Sequence, residues 1–196
     1  MKNKQLTLFA LLYASITAAN SQTIINGDFE DTTGLTGPGT YLQGNLVGWT
    51  GSVQLVSTTY NPLIYSPTNG AYVLDWEFSS GSSIYLEQVV TGFTYGQMYS
   101  LNYEVGNRGP AVAPRINIGS GTVVHTMSGV VNMTPTSLLF TATGTSQYMR
   151  IVFSGGTDNS VRGTFDNFTI TKVPEPSGVA VLGLSGLCVL LRRRRR

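Results

Sequence analysis

In Met98-Tyr-Ser-Leu-Asn-Tyr-Glu-Val105 every second residue is apolar or aromatic. Tyr99, Leu101, Tyr103 and Val105 share one face, opposite Ser100, Asn102 and Glu104. Successive strand side chains point to opposite faces, so this period of two predicts a strand with one face on a core. Ser83–Val90 repeats the pattern, with Ile84, Leu86 and Gln88 facing one way and Tyr85, Glu87 and Val89 the other. In Thr164–Lys172 the apolar residues Phe165, Phe168 and Ile170 are interrupted at Asp166-Asn167, which predicts a bulge or a face change.

Working outward, further short segments read as strands: Val53–Ser57, Ala71–Trp76, Arg115–Ile118, Thr122–Ser128, Ser137–Thr141 and Tyr148–Phe153. Ile118-Gly-Ser-Gly-Thr122 reads as a hairpin loop, with glycines free to take positive φ. Thr32–Leu46 and Tyr60–Asn69, carrying Gly37-Pro38-Gly39, Pro62 and Pro67, read as long loops. Thr, Ser, Gly, Val and Tyr dominate, no dozen residues sustain a 3.6 period, and no internal repeat is visible. The expectation is an all-β domain, an antiparallel β-sandwich.

The ends read differently. Lys2 and Lys4 precede the uncharged apolar run Leu6–Ala19, and small residues follow, in the order of a secretory signal peptide. Cleavage after Ala19 or after Ser21 fits; residues 1–21 are assigned to the signal and 22–173 to the domain. Residues 174–196 form a C-terminal tag. Pro174-Glu175-Pro176 ends the last strand, Gly178–Leu191 is apolar or small, and five arginines close the chain. As a transmembrane helix the apolar run spans ~21 Å, short of the ~30 Å hydrocarbon core. Snorkelling arginines or local thinning would cover the mismatch. The arginines favour the cytoplasmic side and leave the domain outside.

Seven of the twelve basic residues belong to these ends. Between Gln22 and Val173, five basic residues face nine acidic ones, a net charge of −4. That balance gives no electrostatic reason to bind nucleic acid. The single cysteine, Cys188, lies in the tag, so stability must come from a packed core rather than a disulfide.

Pro174-Glu175-Pro176, the Gly- and Leu-rich run and the arginine cluster together resemble a PEP-CTERM sorting signal. The resemblance implies an exosortase-type transpeptidase as partner and a precursor held transiently in the inner membrane of a Gram-negative bacterium. It further implies delivery to the cell surface or extracellular matrix. The body resembles the jelly-roll modules of the galactose-binding-like superfamily, which include many carbohydrate-binding modules. The matching residues are Asn26-Gly-Asp-Phe-Glu30, Gly48-Trp49, Ala71-Tyr-Val-Leu-Asp75, Phe140-Thr-Ala-Thr-Gly144 and Phe165-Asp-Asn-Phe168. In such modules the first and last strands lie together and often hold a structural Ca²⁺, for which Asp28, Glu30 and Asp166 are the candidates here. Ca²⁺ takes six to eight hard oxygen ligands in flexible geometry. Alternatively these acids cap turns and face water.

Loop residues Tyr41, Tyr60 and Tyr65, with Trp76, are the candidates for a sugar platform, whereas Trp49 reads as core. Catalysis has little support. His125 is the only histidine and sits in a strand-like segment, the mature domain has no thiol, and no Gly-x-Ser-x-Gly elbow is present. Asp75 and Glu77, two residues apart, are too common a spacing to count as a hydrolase pair. The chain therefore reads as a non-enzymatic exported protein whose sandwich binds exopolysaccharide. The alternative is a structural surface or matrix protein that binds nothing.

Overall fold

The computed structural model describes residues 22–60, 66–75, 84–153 and 163–174. Ten strands form there: β1 (Tyr41–Asn45), β2 (Ser52–Ser57), β3 (Tyr72–Asp75), β4 (Ile84–Thr91), β5 (Met98–Val112), β6 (Arg115–Ile118), β7 (Gly121–Val124), β8 (Met127–Thr141), β9 (Ser146–Phe153) and β10 (Gly163–Lys172). They make a six-stranded sheet, β1-β2-β3-β10-β5-β8, and a four-stranded sheet, β4-β9-β6-β7, with every pairing antiparallel. No helix occurs among the described residues.

The alternating residues do what their period predicts. Tyr99, Leu101, Tyr103 and Val105 of β5 are buried with Phe165, Phe168 and Ile170 of β10. Leu86 of β4, Met149, Ile151 and Phe153 of β9, and Ile116 and Ile118 of β6 meet them from the opposite sheet. This inter-sheet layer is the core, closed at one end by Phe93, Tyr99 and Phe140 in mutual ring contact. β10 is central in its sheet, so its bulge matters. Its register with β5 shifts between Asp166 and Thr169, at the interruption read in the sequence. β6 and β7 form the expected hairpin, Ile118 pairing Gly121 around Gly119-Ser120.

Two readings need correction. Thr32–Leu46 is not all loop: Tyr41–Asn45 is an edge strand paired to β2. Only Leu42 of β1 enters the core, so no alternation marked it. His125 lies in the short link between β7 and β8 rather than within a strand.

Candidate functional site

The N-terminal segment forms no strand, yet it is pinned beside β10. Phe168 N–H donates to the Gly27 carbonyl at 2.9 Å. A Cβ on Gly27 would stand 2.4 Å from the Phe168 carbonyl oxygen, a backbone atom that cannot move aside. Among the described residues, the non-glycine positions with positive φ are Asn26 (49°), Phe29 (55°) and Asn167 (55°), all at this junction. Such backbone costs roughly 1–3 kcal/mol per residue and persists only where surroundings over-determine it. Here the Phe29 ring is fully buried, packing on Trp49 and edge-on to Phe168 at 5.9 and 6.0 Å between centroids. Trp49 is itself core, 6% exposed, its indole N–H donating to the Asn26 carbonyl at 3.2 Å.

Acidic side chains converge at the same place. Asp166 has no exposed surface. Its Oδ1 accepts Asn167 N–H at 2.7 Å, whereas Oδ2 is buried without a hydrogen-bond partner. Burial pushes the Asp166 carboxyl up to about 9, the Asn167 bond opposes the rise, and the charges of Glu30, Glu104 and Asp28 add to it. Glu30 Oε1 accepts Ala71 and Tyr72 N–H at 2.8 and 2.9 Å, beside Gly70, whose positive φ of 101° favours glycine and whose Cβ would meet the same carboxylate oxygen.

Of the predicted acids, Asp166 feels the charges of both Glu30 and Asp28, Asp28 itself stays exposed, and Glu104, which pairs with Asp166 across β5 and β10, joins them unforeseen. No three His, Cys, Asp or Glu side chains among the described residues gather tightly enough to hold a metal by themselves. A cation here would take backbone carbonyls as well, which suits Ca²⁺. The orphaned Asp166 oxygen among like charges fits such an ion.

On the outer face of the six-stranded sheet lies a groove of about 570 Å³. Glu104, Asn102, Ser137, Thr169 and Asn167 line it, with Thr68 and Asn69 forming one wall. These are the residues left outward when Tyr103, Phe168 and Leu101 turn into the core. The β10 bulge tilts Asn167 so that its Nδ2 donates to Glu104 at 3.1 Å. Thr68 N–H donates to the same carboxylate oxygen, Oε2, at 2.9 Å, and the Thr68 hydroxyl donates to Oε1.

The same face continues toward β1. Tyr41 packs on Val56 and Val73, which are fully buried there outside the main core. Tyr60 meets Tyr41 edge-on at 4.9 Å and remains 50% exposed. The Tyr41 hydroxyl is raised by burial and its bond with Tyr60, against the influence of Arg108. Arg108 is tied to Asp75 at 3.1 Å, and both are buried. Tyr41 and Tyr60 therefore form one aromatic pair. Tyr65, Trp76, Glu175 and Pro176 lie outside the described residues, and Pro174 directly follows the last paired position.

His125 offers no base to this face. It is half-buried on the core side, edge-on to Tyr103 and Phe165, with Nε2 2.5 Å from the Tyr103 hydroxyl. Burial lowers its pKa and pushes that of Tyr103 up to about 12, so the pair is neutral at physiological pH.

No protein-family model and no curated protein matches this sequence. Solved structures do match. TmCBM61, determined in complex with β-1,4-galactotriose, aligns with a TM-score of 0.52 over 78% of this chain and 99% of its own, at 14% identity. The enzymatically active domain of tailspike protein 4 from bacteriophage CBA120 aligns at 0.50 over 78% of this chain, at 10% identity. The match spans only 21% of that phage chain. A family 11 carbohydrate-binding module from a Clostridium thermocellum cellulase aligns at 0.43, with 12% identity over 82% of this chain. At these identities the likeness is one of fold. The chain has an antiparallel β-sandwich fold, which TmCBM61 and the phage tailspike domain share.

Proposed function

We propose that residues 22–173 are a non-catalytic glycan-binding module, exported by the N-terminal signal and sorted by an exosortase-type transpeptidase. The groove on the outer face of the six-stranded sheet carries this reading, with the Tyr41–Tyr60 pair on the same face. A sugar ring presents hydroxyls at its rim and an apolar C–H surface on its flat side. Asn102, Asn167, Ser137 and Thr169 supply donors and acceptors for the first, and the exposed Tyr60 ring a platform for the second. The likeness to a module solved with β-1,4-galactotriose supports the choice of ligand class.

In this reading a structural Ca²⁺ is held by Glu30, Asp166 and neighbouring carbonyls. It neutralises the junction of the chain ends beneath the groove and takes no part in chemistry. Affinity electrophoresis or calorimetry of 22–173 against neutral polysaccharides, β-1,4-galactan first, and against the host's own exopolysaccharide tests the function. Binding to at least one is expected, and Tyr60→Ala should weaken it by at least about 1 kcal/mol. Absence of binding to every polymer would leave the sandwich as a scaffold.

A further inference from the structure

The groove has an electrical sign. Glu104 lies on its floor, 6% exposed, with its carboxylate fixed by the Thr68 N–H, the Thr68 hydroxyl and the Asn167 amide. All three donors are neutral, so they orient the charge without cancelling it. An ionised carboxylate has about four acceptor sites, and three are taken, which leaves one for a ligand hydroxyl. The remaining lining is Asn, Ser, Thr, Pro and the Tyr103 strand, with no cationic side chain among the described lining residues. The described basic residues do not line the groove. Arg108 lies against Tyr41 on the same face, where Asp75 offsets its charge, Arg150 is tied to Glu87 on the four-stranded sheet beside Arg115, and Lys172 ends β10.

We infer that Glu104 makes this groove selective for uncharged glycan chains, accepting from sugar hydroxyls while repelling uronate-bearing or sulfated polysaccharides. The inference rests on the reading of the groove as a glycan site. A carboxylate brought against a fixed, largely desolvated carboxylate is opposed far more strongly than in bulk water, and salt relieves part of the opposition.

The test uses the full-length protein in mild detergent and matched polymer pairs. β-1,4-Galactan, xylan and a mixed β-glucan are each compared with the same chain after oxidation of primary hydroxyls to carboxylates, or, for xylan, after glucuronate substitution. The expected result is at least roughly tenfold tighter binding of the neutral member of any pair that binds, with the gap narrowing as salt rises. Glu104→Gln, which keeps the shape and most hydrogen bonds, should narrow the ratio further. Asn102→Lys, one position along the same face of β5, should raise affinity for the acidic member, and it serves if the Gln variant does not fold. Equal or tighter binding of the acidic polymer by the unmodified protein, unmoved by either variant, would overturn the inference while leaving the glycan site standing. Binding of none of the polymers would overturn both.

Discussion

Asp166 concentrates the chemistry of this domain in one side chain. Its carboxyl titrates near 3.9 in an unfolded chain and at about 9 in the fold, where burial and the charges of Glu30, Glu104 and Asp28 oppose ionisation. Between those values the native state holds a proton that the unfolded state has lost. The unfolded chain therefore binds fewer protons, and this group's contribution to stability falls as pH rises through the window. A divalent ion would take the proton's place, so its binding should release a proton below pH 9 and tighten as pH rises. Chelated 22–173 should show a melting temperature that declines from pH 5 to 8. Millimolar Ca²⁺ should flatten that decline, adding about 2.7 kcal/mol at a hundredfold excess over Kd. Asp166→Asn, isosteric and unable to ionise, should remove both the pH slope of this group and the response to Ca²⁺. Melts indifferent to Ca²⁺ at every pH would exclude the ion. His125 gives a smaller effect of opposite sense. Its pKa is lowered by burial, so the unfolded chain takes up a proton first as pH falls through about 6.5, and stability drops there. His125→Phe should reduce that acid-side loss in the same melts.

The segment carrying Asn26–Glu30 shows how an element without secondary structure is fixed by its neighbours. Gly27→Ala would press a methyl carbon to 2.4 Å from the Phe168 carbonyl oxygen. Relief would separate the segment from β10 and expose Phe29. The expected cost is about 1–3 kcal/mol, read as a lower denaturant midpoint with unchanged slope. This junction was legible as two sequence motifs, but their contact is a tertiary fact. β4, β5, β9 and β10 were legible because one face of each meets the core. β1 escaped because Leu42 alone does so. The first half of β8 escaped as well, because Met127–Pro135 runs past the core with both faces largely exposed, so no alternation was selected. Glu104 reads from the sequence as an ordinary outward residue. Only the register that pairs it with Asp166, and the bulge that aims Asn167 at it, makes it part of a site. Tyr41 and Tyr60 were visible as candidates, whereas their pairing depends on β1 lying at the sheet edge.

For the whole molecule, the last described strand bears on how the proposed sorting tag would be removed. Val173 N–H donates to the Met98 carbonyl at 3.0 Å, and the Gln97 amide holds the Val173 carbonyl at 2.9 Å. The sheet ladder thus runs to the residue before Pro174, which has no N–H to extend it. A transpeptidase or protease needs its substrate backbone free and extended. Cutting before Val173 would require breaking the β5–β10 pairing, in the middle of the sheet, so processing should fall at or beyond Pro174. With signal cleavage after Ala19 or Ser21, the mature chain should begin at residue 20 or 22 and contain all of β10. The apolar run Gly178–Leu191 and the five arginines should be gone. Intact-mass spectrometry of protein from the native host reads both ends at once. Replacing Arg192–Arg196 with Gln should remove the positive-inside bias and leave unprocessed precursor in fractionated cells. A native mass that retains Gly178–Arg196 would make the tag a permanent anchor. In that case the proposed glycan-binding face would work tethered at the inner membrane rather than released into the matrix.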